Sequence, residues 1–167
     1  MLILVLRKQI RQNKHLMLSI FKRKDFFSPE ERARIIDAIR VAEMQTSGEI
    51  RLFVESRCRY VNPVDRATEI FWRLKMDQTV ERNGVLIYVA IKDHQLAIIG
   101  DEGIHQQVGS RFWDNEVVNM LKHFQNKEFV AGIMAVVEDI GEALRTHFPY
   151  VSSTDKNELP DDIVFGK

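Results

Sequence analysis

Between Ser28 and Pro149 the apolar positions change period several times, and each change marks an element. Ile35, Ile36, Ile39 and Ala42 recur at helical spacing. Ser28-Pro29-Glu30-Glu31 precedes them: a serine to cap orphan amides, a proline suited to the first turn and a glutamate to close a capping box. The pattern predicts a helix over 29–45, ended by Thr46-Ser47-Gly48. The period then falls to two. Ile50, Leu52 and Val54 alternate with Arg51 and Phe53, and Phe53 on the otherwise polar side predicts a strand over 49–55 covered on both faces. Pro63 opens a second helix, over 63–77, with Ala67, Ile70, Phe71 and Leu74 inward. After the Arg82-Asn83-Gly84 turn, the run VLIYVAI has the continuous apolarity of a central strand. Lys92-Asp93-His94 turns the chain tightly into a third strand over 95–100. Two helices follow, over 111–125 and 128–146. Phe112, Val117, Met120, Leu121 and Phe124 mark one apolar face, and Phe129, Ile133, Val136, Val137, Ile140 and Leu144 the other. Pro149 stops the last helix.

Strand, helix, strand in succession implies a parallel pair joined by a right-handed crossover, to which the third strand returns antiparallel. The expected fold class is α/β: a small mixed sheet, a parallel pair plus an antiparallel hairpin strand, flanked by helices. A single domain over 28–149 lies between a basic arm, 1–27, and a polar tail, 150–167. The short apolar run Ile163-Val164-Phe165 in that tail is not assigned to the fold.

A chain of 167 residues, 45% hydrophobic and 29% charged, is long enough to bury a core without disulfides or structural metal. Cys58 is the only cysteine, which excludes an internal disulfide and fits a reducing compartment, the cytoplasm. Met1 to Leu6 is apolar but too short to span a bilayer, and no signal-peptide pattern follows. Met17 is an alternative start. The net charge is zero, but Arg7, Lys8, Arg11, Lys14, Lys22, Arg23 and Lys24 precede the first acidic residue, so the remainder carries 17 basic and 24 acidic residues. A basic arm ahead of an acidic body suits weak contact with an anionic surface, or is a solvated terminus. Nothing points to a specific nucleic acid.

Phosphate loops, dinucleotide fingerprints, zinc-protease helices and nucleophile elbows are all absent. The densest polar cluster is Gly100-Asp101-Glu102-Gly103-Ile104-His105, where the chain leaves the third strand. Asp101 and Glu102 are hard oxygen donors suited to calcium or magnesium, His105 follows within a turn, and Asp114 comes early in the next helix. The antiparallel third strand delivers Asp101 beside the amino ends of the parallel pair, where Glu49, Arg82, Asn83 and Gly84 begin their strands. A divalent-ion rim is one reading. In the other, Asp101 and Glu102 cap the following helix and Glu49 pairs with Arg82. The opposite rim, with Glu55, Ser56, Arg57, Lys92, Asp93 and His94, ranks second, because a tight hairpin leaves little room for a crevice.

The stretches TSGEIRLFVES and RNGVLIYVAIKDHQLAIIGDEGIHQQVG resemble the TPM domain family across roughly 30–148. The marks are Gly48-Glu49-Ile50, Asn83-Gly84-Val85-Leu86 and the glycines of the GDEGI turn. The resemblance implies a three-layer α/β/α sandwich. Some family members bind calcium or other divalent ions, one plant member is described as an acid phosphatase, and others serve the assembly of membrane protein complexes. Many carry a signal peptide and a membrane anchor, so this chain resembles a soluble, stand-alone branch. Where many members have Gly-Leu-Glu after the third strand, this chain has Gly103-Ile104-His105, which moves a cation site toward Asp101 and Glu102. The expectation is a non-enzymatic module that holds a divalent cation, calcium ahead of magnesium, at Asp101, Glu102, His105 and Asp114 and contacts an unidentified protein partner. The alternative is a metal-assisted phosphatase in which Arg82 or Arg111 steadies the phosphate.

Overall fold

The computed structural model describes residues 26–58, 60, 62–151 and 162–166. The basic stretch and the alternative start at Met17 lie outside them, as does most of the tail. α1 (Pro29–Glu43) begins with the expected capping box: Ser28 Oγ accepts from the Glu31 amide and Glu31 Oε2 from the Ser28 amide. β1 (Glu49–Glu55) follows, then α2 (Pro63–Arg73), β2 (Gly84–Ala90), β3 (Gln95–Gly100), α3 (Glu102–Gln125), α4 (Phe129–His147) and a short β4 (Val164–Phe165). The sheet order is β3-β2-β1-β4, with β1 parallel to β2 and to β4, and β2 antiparallel to β3.

Three layers result. α2 covers one sheet face, where Ala67, Ile70 and Phe71 meet Phe53, Leu86, Tyr88 and Ile99. α1, α3 and α4 cover the other, where Ile35, Ile39, Val117, Met120 and Ile140 meet Ile50, Leu52, Val85 and Ile98. β1 is buried along all seven residues, as a strand with Phe53 on its second face requires. Trp113 is fully buried, whereas Trp72 is 40% exposed.

Three differences from the sequence reading have local causes. The second helix stops at Arg73 because Lys75 turns into the left-handed region (φ 57°), and a single 3₁₀ turn, Met76–Gln78, replaces its expected end. α3 starts at Glu102 rather than 111: Asp101 is its N-cap, so the polar cluster is a helix start rather than a loop. Gly109 (φ 70°, ψ 174°) breaks this helix, and that break hides the continuity of its two halves in the apolar pattern. The tail is not all polar surface. Val164 and Phe165 pair with Phe53 and Val54, Ile163 is buried, and Phe165 stacks on Phe26 with the Arg32 guanidinium 5.0 Å from its ring.

Candidate polar rim at the amino ends of the parallel strands

The register places the expected residues along one border of the sheet. Glu49 pairs with Gly84 and Val85 with Gly100, and the Asp101 amide donates to the Gly84 carbonyl at 2.9 Å. Glu49, Asn83 and Asp101 are 4%, 1% and 2% exposed, so the rim is set into the protein rather than on its surface.

Arg82 organises this border. Its backbone is left-handed (φ 55°), and its carbonyl accepts from the amides of Gly103 (2.8 Å) and Ile104 (3.3 Å), tying the β2 approach to the first turn of α3. Its guanidinium takes both oxygens of Asp101, Nε to Oδ2 at 2.6 Å and Nη2 to Oδ1 at 2.9 Å. Asp101 Oδ1 also accepts the Glu102 amide at 2.8 Å. These bonds push the guanidinium of Arg82 above its ordinary value. Arg82 therefore pairs with Asp101.

Asn83 is the second organiser. Its amide donates to Thr79 Oγ1 (3.0 Å) and its Nδ2 to Ser47 Oγ (3.1 Å), while Ser47 Oγ donates to Glu81 Oε2. Asn83 Oδ1 is buried and has no hydrogen-bond donor. A buried carbonyl oxygen without a donor is costly, and water or a cation relieves it. Ser47, Thr79 and Glu81 were not singled out from the sequence. The Thr46-Ser47-Gly48 run reads as a helix end, and nothing in its spacing ties Ser47 to a residue 36 positions away.

His105 and Asp114 sit differently. His105 Nδ1 accepts from Trp113 Nε1 at 3.1 Å, so the neutral ring carries its hydrogen on Nε2 and offers a metal no free lone pair while this bond holds. Asp114 lies beyond the Gly109 break, in the second half of α3. Among the described residues, no three His, Cys, Asp or Glu side chains converge as metal ligands. The side-chain oxygens of Asp101 and Asn83 are hard donors, and Asn83 Oδ1 lacks a partner.

The opposite rim is filled. Glu55 is fully buried and accepts from Arg66 Nε (3.0 Å), Arg66 Nη2 (2.8 Å) and Tyr88 Oη (2.6 Å). Arg66 Nη1 reaches Glu69, which also accepts from Tyr60. Gly166 closes the cluster from the side, with no room for a Cβ against Glu55. The thiol of Cys58 donates to the Tyr60 carbonyl at 3.3 Å. No helix among the described residues is long and apolar enough to cross a membrane.

Comparison with known proteins agrees with this architecture. The TPM domain profile matches residues 20–143. The BA42 protein of the psychrophilic bacterium Bizionia argentinensis, solved by NMR, is 41% identical over 87% of this chain and 99% of its own, with a TM-score of 0.80. The N-terminal domain of the cg2496 protein of Corynebacterium glutamicum, also solved by NMR, shares the fold at 15% identity and a TM-score of 0.54, over 80% of this chain and 79% of its own. No curated protein matches the chain. By the extent of the profile match and the likeness to BA42, this chain belongs to the TPM domain family.

Proposed function

We propose that this TPM domain is a non-enzymatic binding module that takes a divalent cation at the Asp101 rim, calcium ahead of magnesium, and works through contact with a protein partner in the cytoplasm. The observation that carries the reading is the buried Asn83 Oδ1, an oxygen with no donor beside a border that also holds Glu49, Asp101 and Glu102. Calcium accepts six to eight oxygen ligands in loose geometry, so it tolerates a partly preformed set completed by water, whereas magnesium demands a tighter octahedron. In this reading Asp101 and Asn83 supply the inner oxygens, Glu49 and Glu102 add charge, and His105 and Asp114 lie outside the inner set. The basic arm adds weak attraction to an anionic surface.

A ligand that binds only the folded state raises the melting temperature. Thermal melts of the full chain with and without millimolar calcium test this. A rise in the native protein that disappears in Asp101→Asn supports the rim, and equal melts with and without calcium refute it. Turnover of an aryl phosphate by the same protein, lost in Asp101→Asn, would instead favour the metal-assisted phosphatase.

A further inference from the structure

The cation-binding reading leaves one contradiction, and the inference drawn here rests on that reading. The carboxylate best placed to hold a cation already holds the guanidinium of Arg82 through both oxygens. A bidentate guanidinium and a divalent cation use the same lone pairs and carry the same sign of charge, so they exclude one another. The two partners are unequally covered: the Arg82 side chain is 40% exposed and that of Asp101 is 2% exposed. Only Arg82 can leave into water. Its departure needs no backbone change, because the Arg82 carbonyl stays fixed by the Gly103 and Ile104 amides. What stays behind is a buried carboxylate that keeps the Glu102 amide and the N-terminus of α3 but has lost its cation, on the same border as the donor-less Oδ1 of Asn83. A buried unpaired charge is expensive, and a divalent cation relieves it.

We infer that Arg82 is a tethered competitor: it occupies Asp101 in place of the cation and must swing into solvent before calcium binds. The rim assembles only once the guanidinium is gone. Because the binding-competent state is a minor fraction, apparent affinity is reduced by that fraction, and loosening Arg82 restores it. Calcium binding is thereby coupled to release of a positive side chain beside α3, which changes the surface that a partner meets.

The test is calcium titration of the full chain by calorimetry, with parallel spectra of the Arg82 Nε–H resonance, on the native protein, Arg82→Lys and Arg82→Gln. The expected order of affinity is native weakest, Arg82→Lys intermediate and Arg82→Gln tightest, roughly five- to tenfold tighter than native. In the native protein the Arg82 Nε–H signal should move toward its solvent-exposed position as calcium saturates. Native binding with no gain in either variant, or with an unmoved Nε–H signal, overturns the competitor role and leaves the cation site standing. Absence of binding in all three proteins overturns both. Arg82→Lys retains the positive charge and guards against misreading a folding defect in Arg82→Gln.

Discussion

Arg66 grips the fully buried carboxylate of Glu55 at two points, Nε to Oε1 at 3.0 Å and Nη2 to Oε2 at 2.8 Å, beneath the ring of Tyr60. The pair closes the carboxyl rim of the parallel strands, the place where an open α/β sheet usually keeps its ligand. Breaking a buried ion pair from one side strands the other charge. Arg66→Met should therefore cost about 3–5 kcal/mol, since only Tyr88 Oη would remain on Glu55. Urea denaturation measures this. A loss under about 1 kcal/mol would mean that solvent reaches Glu55.

Glu116 gives the domain a pH dependence of unusual direction. It is buried on α3, and burial together with Asp139 on the facing α4 raises its carboxyl to about 7 from the ordinary 4.5. An acid whose value is raised on folding stabilises the protein while protonated, so this contribution is present at low pH and is lost as pH climbs from about 4.5 to about 7. Glu116→Gln imitates the protonated form. It should be more stable than the native protein by about 1–2 kcal/mol at pH 8, with the gap closing near pH 4.5. A constant difference across that range would show that Glu116 titrates normally.

Gly103 separates sterics from helix propensity. In the first turn of α3 alanine is the better helix former by about 1 kcal/mol. A Cβ there would run into the carbonyl of Glu81 and lie 2.8 Å from that of Arg82. The steric term should win, and Gly103→Ala should lower stability by about 1–3 kcal/mol. A stabilised variant would mean that the 81–82 backbone sits further from α3.

The C-terminal strand provides a direct check on the β1 edge. Ile163 is 3% exposed and Gly166 donates to the Val54 carbonyl at 2.8 Å. Ile163→Ala should cost about 2 kcal/mol, the low end for a buried isoleucine because the site is close to a terminus. An unchanged urea midpoint would place β4 off the sheet.

The sheet was legible because its signals are local. The two-residue alternation of β1, the unbroken VLIYVAI run and the hairpin at Asp93-His94 each predict a strand from neighbouring residues alone, and the observed register follows. The border of Glu49, Asn83 and Asp101 followed from topology. Which groups would bond along it did not. Arg82 chooses Asp101 because its left-handed backbone fixes its position against α3, and no periodicity encodes that. The Glu116–Asp139 contact joins two separate helices, and neither helix's own apolar pattern pairs the two carboxyls, so it too was hidden. β4 was missed for a related reason: two residues after a polar stretch carry too little pattern to reveal a distant partner in β1.

Calcium titration of the full chain followed amide by amide in NMR spectra tests the central claim most directly. Saturable shifts should appear at Ser47–Ile50, Glu81–Gly84 and Gly100–His105 and be absent in Asp101→Asn. Spectra unchanged at millimolar calcium, or shifts confined to other parts of the domain, would contradict a cation site at the Asp101 rim.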